Sequence, residues 1–340
     1  MKYELQGVLA LDAIILVTIG LAVGYLVTVR IQRPPAGLFV RSDIAIMAAL
    51  LVLTPFAYLN MPAWLVCTIF ALIIFLAVQF TLAPVIGGRS ALGAAASVCV
   101  FEVVAYFVGW STAMMIMNDV ALVIVAIGVT NMWVQTAMKP PLVAGLALIL
   151  MVYDTVATWI VSLTADFVNL VNGIPFAPML AARYAPEPIG FGLGDVLLLT
   201  VWPLAAIKAY GRNAGICAVT INVLLMAAMF AGFATTTITL IPVLTPLGPL
   251  IVAQHLYWRR RAPTTVAPRV PLETALRAPA IAHSSKSRDA YGTTLSAWIA
   301  LHEGEIVGTG DSPGTARRAA RRAGITEVPV TTLATHEGTL

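Results

Sequence analysis

Long apolar runs separated by short polar breaks fill the first three quarters of the chain and then stop. The runs centre on residues 7–29, 43–59, 62–85, 92–109, 117–137, 141–164, 191–209, 213–233 and 238–257. A helix needs about 20 apolar residues to cross roughly 30 Å of hydrocarbon, so each run predicts a membrane-spanning helix. Nine spans follow. The first run is longer than the roughly 7–15 residues of a signal-peptide core and reads as a retained span.

Past residue 257 the pattern changes. Residues 258–295, rich in Pro, Ser, Thr and Ala, predict a flexible cytoplasmic linker. Trp298–Leu301 and Glu305–Gly308 flank a Glu303-Gly304 turn and predict a hairpin. Asp311-Ser312-Pro313 is a helix start; the helix should run to about Ala323, stop at Gly324, and lead into a last strand, Val328–Leu333. Residues 296–334 thus predict a small soluble ββαβ module, which resembles uncharacterised modules of prokaryotic proteins and implies no chemistry. Arg317, Arg318, Arg321 and Arg322 read as a solvated helix face, or alternatively as a contact for anionic lipid heads. The module's partner is not specified by the sequence.

Composition agrees with the spans. The 340 residues are 59% hydrophobic and 11% charged, whereas a soluble domain carries about 25% charge. An ordinary soluble enzyme is excluded, and the fold class is an all-α polytopic membrane protein with its partner the lipid bilayer. Residues 1–257 are formally neutral, so the net charge of +4 lies wholly in the remainder. Short-loop Lys and Arg are biased to one side: Arg30, Arg33, Arg41, Arg89, Lys139, Lys208, Arg212 and Arg259–Arg261 follow odd-numbered spans, against Lys2 and Arg183 opposite. The positive-inside rule then puts the N-terminus outside and the C-terminus in the cytoplasm, as a multi-pass protein of a bacterial or archaeal cell membrane. Cys67, Cys99 and Cys217 lie in apolar runs without a CxxC pair, and the histidines are scattered, so neither a disulfide framework nor a metal site is expected. No nucleic-acid partner is expected.

Acids inside spans need a reason, since one at the bilayer centre costs about 2.5–3.5 kcal/mol on insertion scales. Asp12, one turn into the first span, reads as snorkelling to the interface. Glu102 reads as a polar contact between helices, and Asp119, after Asn118 at a span edge, as interfacial. Asp154 and Asp195 are the informative pair. Asp154 lies in span six, about ten residues or 15 Å from its outer end, and Asp195 about 10 Å into span seven. Running in opposite directions, the two helices bring both carboxylates to similar depth. Facing acids in a low-dielectric site share one proton; the ionised member can take a proton from water while the other polarises a carbonyl. That scheme uses no cofactor or metal. Gly192 and Gly194 would admit a second backbone close to Asp195 and permit unusual dihedrals, or else mark a loop–helix junction.

Tyr153-Asp154 in span six and Gly192-Leu193-Gly194-Asp195 in span seven resemble the YD and GxGD motifs of presenilins and signal peptide peptidases, a resemblance covering roughly residues 1–257. It implies a presenilin-like fold and an intramembrane aspartyl protease that unwinds and cuts membrane-spanning peptide or protein substrates. The family's PAL motif is partly matched by Pro246-Leu247-Gly248 or Gly248-Pro249-Leu250, which by similarity would shape the site and receive substrate. The orientation matches signal peptide peptidase and implies type II or signal-peptide substrates. Between the two spans, residues 166–188 predict a short amphipathic helix (Phe167, Val168, Leu170, Val171) and then an extended segment, a gate able to pair with an unwound substrate strand or a plain loop. The alternatives are a proton- or ion-coupled transporter using buried carboxylates, a prepilin-type peptidase, for which a Lys soon after GxGD is missing, and a membrane scaffold.

Overall fold

The computed structural model describes residues 2–31, 41–136, 138–183, 189–235, 242–261, 297–302, 305–310, 313–322 and 330–334. The chain divides into two compact units, Met1–Ala262 and Pro263–Leu340. The predicted linker, apart from residues 258–261, lies outside the described residues, as do the Glu303-Gly304 turn, the Asp311-Ser312 cap and Gly324.

The first unit is helical. Its elements are α1 (Lys2–Thr28), α2 (Arg41–Leu59), α3 (Ala63–Ile86), α4 (Gly88–Val108), α5 (Ser111–Gln135), α6 (Pro140–Trp159), α7 (Leu163–Val171), β1 (Met179–Arg183), β2 (Ile189–Gly192), α8 (Leu193–Tyr210), α9 (Arg212–Thr235) and α10 (Leu244–Arg261). Among the described residues seven helices, α1, α3, α4, α5, α6, α8 and α9, are long and apolar enough to cross a membrane. This is a multi-pass membrane architecture. The described parts of the other two apolar runs are helical too, but α2 is shorter and α10 carries Gln254, His255 and Arg259–Arg261.

Boundaries follow local chemistry. α3 and α4 are joined through Gly87 alone, and α8 and α9 through Gly211, whose φ of +85° and +93° suit glycine and let consecutive helices reverse without a loop. Two predicted boundaries need correction. Span six ends at Trp159 rather than 164; the chain turns through Ser162, φ +56°, and restarts as α7. α7 peels away because Phe167 stacks with Tyr58 of α2, ring centroids 6.2 Å apart. The last helix continues to Arg261, four residues into the segment read as linker, since cations suit a helix C-terminus.

α8 and α5 are the most enclosed spans, 56% and 50% buried, against 22% for α3 and α4. α5 packs against α1, α3, α4 and α8, and α6 lies along α10. With lipid outside there is little hydrophobic gain in joining helices, so close packing and buried hydrogen bonds do that work. Tyr25 of α1 donates to the Thr81 carbonyl of α3 (3.0 Å), and Asn131 of α5 to the Ala22 carbonyl of α1 (3.0 Å). Gln135 closes the end of α1 by bonding Val29 O and Ile31 N. Asn222 of α9 donates to Leu199 O of α8 (2.8 Å), Trp202 of α8 to Gln254 of α10 (3.0 Å), and Lys208 to Val134 O.

In the second unit, β3 (Ala297–His302) is flanked antiparallel by β4 (Glu305–Gly310) and β5 (Val330–Ala334), with α11 (Pro313–Arg322) on the sheet. Ala300, Ala316 and Ala320 form its small core, and Gly308 lets the helix backbone sit against β4. The last strand is described over Val330–Ala334, with Val328 and Pro329 outside the described residues, and Arg317 and Arg321 are exposed on α11.

Gly128 sets the α5–α3 spacing, because a Cβ there would overlap the Thr81 side chain. Gly128→Leu should destabilise the protein by about 1–3 kcal/mol through overpacking. Gly93→Ala, whose Cβ meets nothing within 4 Å, should leave thermal unfolding in detergent unchanged or slightly delayed.

Candidate active site around Asp154 and Asp195

α6 and α10 approach closely because Gly248 has no side chain. A Cβ there would lie 2.8 Å from Met151 Cβ and 2.9 Å from Ala147 O of α6. This contact brings the first turn of α10 beside Asp154, which is 9% exposed. Asp154 Oδ2 accepts the Leu244 N–H (3.0 Å), with the Thr245 N–H also directed to the carboxylate, and Oδ1 accepts the Thr158 hydroxyl (3.2 Å). Leu244 and Thr245 open α10, where N–H groups have no partner within their own helix. Asp154 therefore caps a helix it does not belong to, and the negative charge sits at a favourable helix N-terminus. Thr155 and Thr245 hydroxyls meet at 2.8 Å, and Thr158 and Thr164 at 3.0 Å, extending the network on both sides.

Asp195 is the third residue of α8 and is half-buried. Its Oδ2 accepts the Gly192 N–H (3.1 Å), one half of a capping box. α6 packs on α8, the helix that carries Asp195. Depth differs from the sequence expectation. Asp154 is five residues, about 7.5 Å, from the end of α6, and Asp195 lies in the first turn of α8. Asp154 thus sits little more than one turn from the C-terminal end of α6, and Asp195 in the N-terminal turn of α8.

Of the two readings of the glycines, the loop–helix junction describes them: Gly192 ends β2 and caps α8. Gly192 has φ −60°, ψ 146°, ordinary extended backbone, and Gly194 is helical, so neither takes an unusual dihedral. A Cβ on Gly192 would meet Asp195 Oδ2 at 3.2 Å, whereas one on Gly194 meets nothing. Leu193 is half-buried and its N–H bonds Pro178 O (2.9 Å), tying α8 to β1. Tyr153 is half-buried beside Asp154. It lines an apolar groove of about 550 Å³ with Val52 and Phe56 of α2, Ile149 and Val156 of α6, and Leu163 of α7.

The PAL-like residues lie within α10, not in a turn before it. Leu247 and Gly248 are buried, Pro246 and Leu250 half-buried, and Pro249 exposed. Pro246, at the third helical position, lacks only an N–H that the helix would have left unbonded.

The connection between α7 and α8 is a short antiparallel hairpin, with Leu180 opposite Phe191 and Ala181 opposite Gly190. The predicted amphipathic helix is α7, which begins at Leu163; Pro186 and Pro188 lie outside the described residues. Two acid assignments change. Among the described residues the bond Glu102 makes is to a loop, not to a helix: its Oε2 accepts the Phe176 N–H (2.8 Å) before β1. Asp119 is buried and accepts the Ala181 N–H (3.0 Å) of β1. Asp12 is half-buried in α1. Thr155, Thr158, Thr245 and Asn118 were missed. Only Thr158 carried a sequence signal, the i,i+4 spacing from Asp154.

A scan against family models gives no match, and a search of curated proteins finds no relative for this chain. The structural share of the Asp154 cap can be separated from any chemistry by substitution. Asp154→Asn keeps an acceptor for Leu244 and should unfold near the parent temperature, while Asp154→Ala should lose about 1 kcal/mol, as for a removed cap, measured by thermal unfolding in detergent.

Proposed function

We propose that the protein is an intramembrane aspartyl protease of nine spans, in which Asp154 and Asp195 together activate one water. The observation that carries this reading is that the two acids stand on helices packed against each other, Asp154 near the C-terminal end of α6 and Asp195 in the first turn of α8. The resemblance of Tyr153-Asp154 and Gly192–Asp195 to the YD and GxGD motifs adds to it. The pair holds one proton. The ionised carboxylate removes a proton from water as the oxygen attacks the peptide carbonyl carbon, and the protonated acid donates to the carbonyl oxygen. The tetrahedral intermediate then reforms its carbonyl, the C–N bond breaks, and the amine nitrogen takes up a proton from the dyad. One water is consumed and two chain ends result.

Helical carbonyls are already bonded, so the substrate must be presented extended. The hairpin supports this. Ala181 donates to Asp119 rather than across the sheet, so its pair with Gly190 is of the non-hydrogen-bonded kind and the Gly190 backbone faces the outer side of β2. That edge runs directly into Asp195 and suits an added strand. The apolar groove beside Tyr153 suits the flank of a substrate helix still in lipid. With the N-terminus outside, type II and signal-peptide helices are the favoured substrates.

A proton- or ion-coupled transporter is the second reading, favoured by the further buried acids Glu102 and Asp119. Substrate-dependent proton flux in proteoliposomes, without peptide cleavage, would establish it.

Purified protein incubated with a signal-peptide helix should yield two fragments by mass spectrometry. Asp154→Asn and Asp195→Asn should each lower the rate by about 10²-fold or more while remaining folded, and a hydroxyl-containing aspartic-protease inhibitor should compete. Substantial activity in either variant rules out the dyad.

A further inference from the structure

We infer that Glu102, Asn118 and Asp119 are positioning residues that clamp β1 and thereby fix where the hairpin presents a substrate strand to Asp195. The catalytic half of this inference rests on the protease reading; the clamp itself does not. Glu102 of α4 is fully buried and accepts the Phe176 N–H at 2.8 Å. On α5, Asn118 donates to the carbonyls of Ala177 (3.0 Å) and Met179 (3.2 Å), and Asp119 accepts the Ala181 N–H at 3.0 Å. Cys67 of α3 adds a bond to Pro175 O at 3.3 Å. Three helices that carry neither Asp154 nor Asp195 therefore converge on the backbone of residues 175–181.

Two features separate this from incidental packing. Phe176 has φ +62°, a conformation bulky residues rarely adopt, and it is buried with its N–H held by Glu102. The Asn118 and Asp119 bonds fall on alternate strand residues, all on the side of β1 away from β2. They occupy the edge where another strand would pair, so the hairpin can be extended only along β2. From the clamp the path to the dyad is short. Leu180 pairs with Phe191, Pro178 O receives the N–H of Leu193, and Leu193 begins the helix carrying Asp195. A shift of β1 must move the strand edge relative to the carboxylates, which changes the bond that is cut.

The test uses the full chain in nanodiscs with a signal-peptide helix as substrate. Glu102→Ala and Asp119→Ala should speed amide exchange across residues 176–183 by about tenfold or more, as expected for loss of a buried acceptor. The same variants should lower kcat by about tenfold with little change in KM and spread cleavage to neighbouring bonds. Glu102→Gln and Asp119→Asn keep an acceptor oxygen and should restore parental exchange and register. If the alanine variants do not fold, Glu102→Asp and Asp119→Glu keep the charge but move the acceptor, and should shift the cut site. Unchanged exchange, parental register in a loosened or shifted variant, or equal loss in the Gln and Ala forms overturns the clamp. Faster exchange in a protein whose parent cuts no peptide sustains the clamp and removes the protease reading instead.

Discussion

A main-chain N–H with neither water nor a partner costs several kcal/mol in hydrocarbon, and the functional end of this fold depends on how that cost is avoided. Four acids of the first unit each accept at least one such N–H. Glu102 takes Phe176, Asp119 takes Ala181, Asp154 takes Leu244 and Asp195 takes Gly192. All four donors lie where helix geometry gives out: in a loop, in a strand, or at the start of a helix. A carboxylate is a stronger acceptor than a neutral group, which suits positions where solvent does not assist. The expensive residues in the apolar part are thus the means by which irregular backbone persists inside it.

The four acids divide by what they hold. Glu102 and Asp119 bind the outer edge of a hairpin whose other edge leads to α8, so they act on its placement. Asp154 and Asp195 bind the first turns of α10 and α8, leaving each carboxylate next to a helix N-terminus. Gly248 makes the first of these contacts possible by bringing α10 onto the Met151 turn of α6. The PAL-like segment therefore acts on Asp154 indirectly: the two residues just before it supply the backbone amides, and Gly248 within it lets α10 lie against α6. Its prolines contribute less: Pro249 points outward, and Pro246 lacks an N–H that was unneeded.

Asp154 thereby has a structural duty besides any chemical one. Its oxygens are shared among Leu244, Thr245 and Thr158, so taking a proton from water would require part of that network to yield. A substrate strand on β2 would approach from the hairpin side and the apolar groove from the α2 side, placing the dyad between an extended segment and a helical one.

The sequence by itself determined the helices. Runs of about 20 apolar residues admit little else in lipid, and Gly87, Gly109 and Gly211 mark the ends of α3, α4 and α8. Asp154 and Asp195 were legible because acids without an evident cation stand out in such runs. What only the tertiary structure decided was the partner of each acid. Asp154 and Leu244 are 90 positions apart, and Glu102 and Phe176 are 74. The acceptor is a side chain but the donor is a backbone amide, which every residue except proline possesses, so no pattern of residue types announces the pairing. The same reason hid the early end of α6 and the hairpin edge at Gly190. Backbone groups carry no letter in the sequence, and here they make the decisive contacts.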